Sequence, residues 1–366
     1  MMRNLLTALT IACGFFGVAW AQTGDIRNPD IGDDPQGQML TDAGISEDPA
    51  QKIAIISTFV EKYPTDPNIG YAYFQLLTLN LEAEQYPKAA EAGEKLIGMV
   101  PDDVEVRHNA IRAYEGAAAW DKLLPLLVET KALAEKQGDD YANGVVQYVE
   151  YSLITSALKV TDANLKLTYL EALNEHYPNG QYAKSPTATD AYVMACQQLG
   201  DIERAIPVME ASLAANADNP NEGYIYMMAE HALGKRDDAK AKDLGERLIA
   251  VMETKAKPEN ASPEQWEQQK SMFTAYGHFV LGRLQAMTED YRGARDHLTQ
   301  AAGPMEKQGG QPYGTLAYFL GICYVKLDMA GDNIPQATKW MTVAAQTENP
   351  FQGEAKKTLA AIKQVQ

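Results

Sequence analysis

The segments Leu320-Gly321-Ile322-Cys323-Tyr324 and Leu281-Gly282 each lie in a stretch with helical periodicity. Each is followed downstream by a second, alanine-rich helical stretch, and the arrangement recurs along most of the chain after residue 48. Regular recurrence of two helices predicts a stack of helix pairs, in which each pair buries its apolar face against its neighbours. The sequence therefore predicts an all-α solenoid, an architecture that more often binds another molecule than performs chemistry.

Capping residues predict where the helices begin and end. Asp48-Pro49 provides an aspartate N-cap and a proline at the first helical position. Apolar residues follow at helical spacing, at positions 53, 56, 59 and 60. This helix ends at Tyr63-Pro64, and a later one ends in the same way at Tyr177-Pro178. The shared ending is further indication of internal repetition.

Small and aromatic residues recur at matching positions of a 34-residue unit, and together they resemble the tetratricopeptide repeat (TPR). The matching ranges are 70–103, 104–137, 186–219, 220–253, 275–308 and 314–351. Among the matched residues are Tyr86, Ala89, Pro101, Tyr114, Trp120, Gly200-Asp201, Ala205, Gly234, Ala239, Leu281-Gly282, Tyr291, Ala294, Ala301, Leu320-Gly321 and Tyr324. The chain is similar to exported bacterial TPR-containing proteins. The resemblance implies a right-handed superhelical solenoid of about seven antiparallel helix pairs over residues 48–366.

Two regions depart from the repeat pattern. Residues 138–185 contain two helical stretches without the signature positions, and we interpret them as one degenerate pair. Residues 254–270 form a polar insertion, either a loop or an extension of two helices. Within it, Ser262-Pro263 and Gln265 predict a capping box that starts a new helix.

The N-terminal 21 residues have the features of a cleaved export signal. Arg3 precedes an apolar core, and Ala19-Trp20-Ala21 forms an A-x-A cleavage site. Cys13 raises the alternative of a lipoprotein anchor, which the apolar residues after it disfavour. Residues 22–47, rich in Asp, Gly, Pro and Gln, predict a disordered acidic leader. We expect an exported protein, most simply a periplasmic one, with no transmembrane segment after the signal.

The net charge and the cysteine spacing each allow one prediction. The chain has a net charge of −17, which repels phosphate backbones and disfavours nucleic acid. Cys196 and Cys323 lie about three repeats apart, and in a solenoid each repeat contacts only its neighbours. We therefore expect two separate, buried thiols and no disulfide between them.

Motifs typical of enzymes are not found in the sequence. No two histidines have the spacing of a helical metal site, and no G-x-S-x-G, Walker or dinucleotide motif occurs. The histidines are His108, His176, His231, His278 and His297. We expect no catalytic residues, no metal and no cofactor.

The TPR resemblance implies that the first helix of each pair, helix A, lines a concave groove. Helical periodicity places positions 2, 5, 9 and 12 of the unit on one face. At these positions the chain has mostly aromatic residues and methionine, flanked by arginine. The candidate groove residues are Tyr71, Phe74, Arg112, Met194, Tyr224, Met228, Tyr276, Phe279, Arg283 and Tyr318. These side chains either bind a partner or pack against the neighbouring helix A, and the sequence leaves both interpretations open.

The combined features predict a non-enzymatic, exported scaffold that binds a protein or peptide through this groove. The Lys and Asn residues with which some TPR proteins bind a C-terminal carboxylate are not present at these positions. Two alternatives remain open. One is a self-associating subunit of an envelope assembly, and the other is a carrier of a small molecule or glycan.

Overall fold

A computed structural model of the protein describes residues 25–327 and 333–365. Those residues form 17 α-helices and no strand. The predicted export signal, including Cys13, lies outside the described residues. The chain divides into two compact units, Met1–Ala188 and Thr189–Gln366.

The first unit contains eight helices in sequence. They are α1 (Pro35–Ile45), α2 (Pro49–Lys62), α3 (Ile69–Glu82), α4 (Tyr86–Met99), α5 (Val104–Gly116), α6 (Trp120–Gln137), α7 (Asp140–Lys159) and α8 (Ala163–His176). Each packs against the next along the chain. In addition α3 contacts α5, α5 contacts α7, and α6 contacts α8. Contact with the next and the second-next helix only is the arrangement of a solenoid of helix pairs.

The second unit repeats this arrangement. Its helices are α9 (Pro186–Gln198, which starts just before the boundary), α10 (Ile202–Ala215), α11 (Glu222–Gly234), α12 (Asp238–Thr254), α13 (Pro263–Met287), α14 (Tyr291–Gln308), α15 (Gly310–Leu327), α16 (Asn333–Gln346) and α17 (Gln352–Val365). The odd-numbered helices α11, α13 and α15 each contact the next odd-numbered one. The predicted all-α, TPR-like fold is thus confirmed, and the helices of all seven predicted pairs are present.

The turns between helices A and B have a shared backbone conformation. The residue directly before the N-cap of helix B has a positive φ, as at Gly200 (72°) and Glu289 (67°). Glu84, Ala118 and Arg236 adopt the same conformation in their turns. Only Gly200 has the residue type that reaches this region without steric cost. The repeat is therefore preserved in the backbone at positions where its sequence signature is lost.

Residues 25–47 correct the prediction of a disordered leader. They contain α1, where the Asp34 side chain accepts a hydrogen bond from the Gly37 N–H and Pro35 opens the helix. Leu40 of α1 is 2% exposed, and α1 packs on α2 as an eighth pair. Asp34-Pro35 repeats the start signal of Asp48-Pro49, but the helix that follows has only 11 residues and four apolar side chains. The periodicity was therefore too short to recognise.

The 254–270 region is part loop and part helix. A loop over residues 255–262 follows α12, and the remainder forms the first turns of α13. The predicted capping box is confirmed, because the Ser262 and Gln265 side chains each accept a hydrogen bond from the other residue's backbone N–H. In the loop, Lys255 forms a largely buried ion pair with Glu222, with Nζ and Oε2 2.5 Å apart. This pair attaches the loop to the start of α11.

Glycine at the repeat positions allows the two helices of a pair to approach closely. A Cβ atom at Gly282 of α13 would lie 2.6 Å from Cγ of Leu298 and 3.1 Å from the carbonyl oxygen of Ala294. Leu298 and Ala294 of α14 are both fully buried. The contact leaves no room for a side chain, as predicted from the Leu-Gly pattern.

We predict that Gly282→Ala destabilises the fold by about 1–3 kcal/mol, because overpacking displaces helix α14. Gly144→Ala is the matched control. Gly144 is exposed within α7 with no atom of a residue beyond its chain neighbours near the added methyl group, so alanine should stabilise by about 0.5–1 kcal/mol. Urea unfolding of both variants measures the difference. Equal effects at the two positions would contradict the close-approach interpretation.

Candidate functional site

Five aromatic side chains form a continuous row on unit 1. We call them the tyrosine row: His108 of α5, Tyr141, Tyr148 and Tyr151 of α7, and Tyr182 in the loop after α8. The His108 ring lies 6.0 Å from that of Tyr141 and 4.7 Å from that of Tyr148. Tyr151 lies 6.5 Å from Tyr148 and 6.1 Å from Tyr182. These centroid distances are those of interacting aromatic pairs, so the five rings form one surface.

The α7 part of the row belongs to an apolar stripe along the helix. Tyr141, Gly144, Tyr148, Tyr151, Thr155 and Leu158 follow one another at alternating steps of three and four residues. Tyr141 is 46% exposed, Tyr151 50% and Leu158 47%. Such spacing places the side chains on one face of the helix. The face is open to solvent among the described residues, which is unusual for aromatic side chains in regular repeats.

The stripe is not predicted by the repeat pattern of the sequence. Residues 138–185 lack the TPR signature positions, so the groove positions of the unit could not be assigned there. The signal was nevertheless present, because tyrosines at 141, 148 and 151 have helical spacing. An apolar stripe on a predicted helix more often indicates the core. Only the structure shows that α7 buries a different face.

The carboxylates of Glu115 and Glu150 each accept a hydrogen bond from a residue of the row. Glu115 of α5 accepts a hydrogen bond from the Tyr148 hydroxyl at 2.5 Å and another from the Ser152 hydroxyl. Burial, together with the hydrogen bond to Glu115, raises the pKa of Tyr148. Glu150 of α7 accepts a hydrogen bond from the Tyr182 backbone N–H at 2.9 Å. These bonds fix the orientation of Tyr148 and the position of the Tyr182 loop.

His108 lies between Tyr141 and Tyr148 in the row and is held as a neutral ring. Its Nδ1 lies 2.9 Å from the Tyr141 hydroxyl, and its Nε2 is buried with no partner among the described residues. Burial, and then the positive charge of Arg112, lowers the pKa of His108. A neutral imidazole packs against tyrosine rings without the cost of burying a charge.

Residues before α1 lie against α3 and α5 of unit 1. The Arg27 guanidinium lies 5.3 Å from the centre of the Phe74 ring of α3. Its nitrogens donate to Asp103 at 2.8 and 3.0 Å and to Glu105 at 2.6 and 3.1 Å. The hydrogen bond to Asp103 is the main cause that raises the pKa of Arg27. Sequence analysis treated this segment as unstructured and did not predict these contacts.

The predicted groove residues of unit 1 remain at the surface in part. Tyr71 and Phe74 of α3 are half-buried, and Phe74 is covered by Arg27. Arg112 of α5 is exposed, with one long hydrogen bond of 3.4 Å to Asn109. These side chains flank the tyrosine row rather than form it.

In unit 2, three predicted groove residues are in the core, and their assignment to an open groove is corrected. Phe279 is 2% exposed, and Tyr224 and Met228 are also buried. The Tyr224 hydroxyl donates to Asp190 of α9. Tyr224 thus contacts the neighbouring A helix, which is the second of the two interpretations that the sequence left open, and Met228 lies near residues of the B helices α10 and α12.

The remaining predicted residues of unit 2 differ in exposure. Tyr276 stacks on Tyr226 of α11 with ring centres 4.3 Å apart, and Tyr318 stacks on Phe351 at 4.6 Å. Arg283 lies over Phe279 at 4.9 Å and donates to both Glu230 oxygens at 2.7 Å. The Tyr276 and Arg283 contacts join α13 to α11, and the Tyr318 contact joins α15 to the turn before α17. Met194 of α9, in contrast, is 67% exposed.

Two thiols and a pair of histidines lie in unit 2. Cys196 and Cys323 are buried thiols that do not form a disulfide, as predicted, and burial raises the pKa of Cys323 to about 12. His278 and His297 lie with their Nδ1 atoms 2.8 Å apart. Residues 25–327 and 333–365 contain no cluster of three or more His, Cys, Asp or Glu arranged to hold a metal. Within the same ranges, no helix is long and apolar enough to cross a membrane.

No protein-family model and no curated protein matches the sequence. Among solved structures, the chain is similar to the APC/C hetero-tetramer Cut9-Hcn1, with 12% identity and a TM-score of 0.40, over 89% of this chain and 55% of that one. The P58(IPK) TPR domain is 14% identical with a TM-score of 0.35, over 91% of this chain and 98% of that one. Yeast Tom70 is 12% identical with a TM-score of 0.27, over 90% and 87%. At these scores the fold assignment rests on the helices of the chain itself.

Three histidines predict a loss of stability in mild acid. Burial lowers the pKa of His108, His278 and His297. The unfolded chain therefore binds more protons than the folded chain once the pH falls to the ordinary histidine pKa of about 6.5, and stability decreases below that pH. The His278–His297 hydrogen bond is also lost when both rings are charged.

Urea unfolding between about pH 7.5 and pH 5 tests this expectation. His297→Gln cannot titrate, so its midpoint should depend less on pH than that of the wild type. His278→Gln, which removes the other ring of the pair, should reduce the pH dependence in the same way. The same slope in all three proteins would show that these histidines do not couple folding to pH.

Proposed function

We propose that this chain is a non-enzymatic scaffold that binds a protein or peptide partner along the tyrosine row of unit 1. The main support is the exposure of Tyr141 and Tyr151 on a helix whose other face is fully packed. Tyrosine presents a large contact area with few rotatable bonds, so it loses little entropy on binding. Half-exposed aromatic side chains in a continuous row are typical of an interaction surface.

The dimensions of the row fit a short peptide. From Tyr141 to Leu158 the α7 stripe is about 26 Å long, at 1.5 Å per residue. An extended chain of about eight residues has the same length. Rows of aromatic side chains also accept proline-rich or extended segments by contact with alternate side chains. We therefore place the binding surface on α5, α7 and the loop after α8.

This location replaces the groove predicted from the sequence. The predicted groove ran through both units, whereas the aromatic residues of unit 2 mostly contact neighbouring repeats. Arg112 and Phe74 remain at the border of the proposed surface. The net charge of −17 disfavours nucleic acid as the partner. Action outside the cytoplasm follows from the predicted signal in residues 1–21 and belongs to the same proposal.

Crosslinking pull-down from the native cells, with the wild type beside Tyr151→Ser/Leu158→Ser, tests the scaffold. Both side chains are about half exposed and have no hydrogen bond from the side chain among the described residues, so the fold should survive. We expect capture of the partner to fall by about tenfold, since central aromatic contacts supply much of the binding energy.

Ile45→Ser/Leu199→Ser is the matched control, because it removes exposed apolar side chains of similar size elsewhere. It should leave capture unchanged. Equal capture by all three proteins would place the interface away from α7. Recovery of only the chain itself would favour a self-associating subunit instead.

A further inference from the structure

We propose that the tyrosine row binds arginine side chains of a basic segment in the partner, with Glu150, Tyr151 and Tyr182 as the main site. This assignment of partner chemistry rests on the proposed function. It derives from a contact that the chain already makes with itself at the neighbouring end of unit 1, where Arg27 is held by an aromatic ring and two carboxylates.

The Arg27 contact shows what this surface recognises. A non-helical segment, residues 25–34, lies against α3 and α5. Its backbone is held by Asn68, which accepts from the Asp30 N–H at 3.0 Å and donates to the Asp30 carbonyl at 2.9 Å. Ile26 of the segment is 5% exposed. The segment is thus seated like a bound peptide, with its arginine over Phe74.

The Arg27 site and the tyrosine row border one another. Glu105, which holds Arg27, lies one helical turn before His108 on α5. The His108 Nδ1 lies 2.9 Å from the hydroxyl of Tyr141, the first ring of the row. Burial raises the pKa of Tyr141, and the charges of Glu105 and Asp103 accordingly add to this effect. From there the rings continue without a gap to Tyr182.

Further along the row, a carboxylate and an aromatic ring again occur together, here with no arginine over them among the described residues. Glu115 accepts a hydrogen bond from the Tyr148 hydroxyl, and Glu150 accepts one from the backbone N–H of Tyr182, whose ring lies 6.1 Å from that of Tyr151. Both carboxylates are half-buried and accept hydrogen bonds from uncharged donors. Among the described residues, neither forms an ion pair with lysine or arginine. A half-buried carboxylate beside exposed aromatic rings is a favourable position for a guanidinium, which combines a charged hydrogen bond with stacking.

The Glu150 position is the more favourable of the two. Arg112 lies one turn before Glu115 on α5 and its charge acts on Tyr148, so it repels a second cation there. At the other position, Gly180 leaves space for the Glu150 carboxylate, since a Cβ at Gly180 would lie 2.1 Å from Glu150 Oε1. The carboxylate is therefore held in place beside Tyr182. The net charge of −17 further favours the approach of a basic segment.

Fluorescence anisotropy with the full chain tests the proposal. The probe is a fluorescein-labelled Gly/Ser peptide that contains arginines, and its partner peptide has citrulline in place of each arginine. Citrulline has nearly the same shape but no charge. We expect the arginine peptide to bind and the citrulline peptide to bind at least about tenfold more weakly.

Glu150→Gln identifies the site. Glutamine retains an oxygen that accepts from the Tyr182 N–H, so the loop should keep its position. We expect about tenfold weaker binding of the arginine peptide. Glu175→Gln is the matched control, because it removes the same charge from an exposed position on α8, and it should not change binding.

Equal binding of the two peptides, or equal weakening by Glu150→Gln and Glu175→Gln, would overturn the proposal. The second result would mean that only net charge attracts the peptide. If either occurs while Tyr151→Ser/Leu158→Ser still loses the native partner, the partner is not basic but the scaffold stands. If the pull-down shows no dependence on α7, the scaffold surface itself is misplaced.

Discussion

Close approach of the two helices in each pair is the constraint on which the structure depends. At Gly282 the backbone of α13 lies against Leu298 and Ala294 of α14, and Gly321 lies in the same way against Met341 of α16. The distance between the helices then determines which side chains reach the next pair. A helix pair cannot bury its apolar face alone, so its stability comes from the contacts with its neighbours.

This constraint divides the aromatic side chains of the A helices into two groups. In unit 2 they make contacts to neighbouring repeats, as with Tyr276 on Tyr226 of α11 and Tyr318 on Phe351, which directly precedes α17. In unit 1, α7 buries Val149 and Leu153, and its Tyr141 and Tyr148 also contact His108 of α5. Tyr141 and Tyr151 nevertheless remain about half exposed. They are therefore available to a partner.

The segment before α1 makes, within the chain, the kind of contact that we propose for the partner. Arg27 is bound by charge-assisted hydrogen bonds to Asp103 and Glu105 and lies over Phe74. Such contacts at a surface give modest stability, because water screens the charges. Their geometry is nevertheless specific, since a guanidinium needs an aromatic face and carboxylates in fixed positions. The chain thus provides its own example of the chemistry that we infer for the partner.

The sequence by itself determined the all-α class, the helix pairs, the capping box at Ser262 and the close-approach glycines. Each of these depends on local periodicity or on a residue type that a backbone position requires. It did not determine α1, which is too short for its periodicity to stand out. It also did not decide whether Phe279 and Tyr224 face a groove or the core, or that Tyr141 and Tyr151 are exposed. Those outcomes depend on how far each helix is rotated about its own axis against its neighbours. That rotation is the sum of many contacts between residues distant in sequence, so only the tertiary structure decides it.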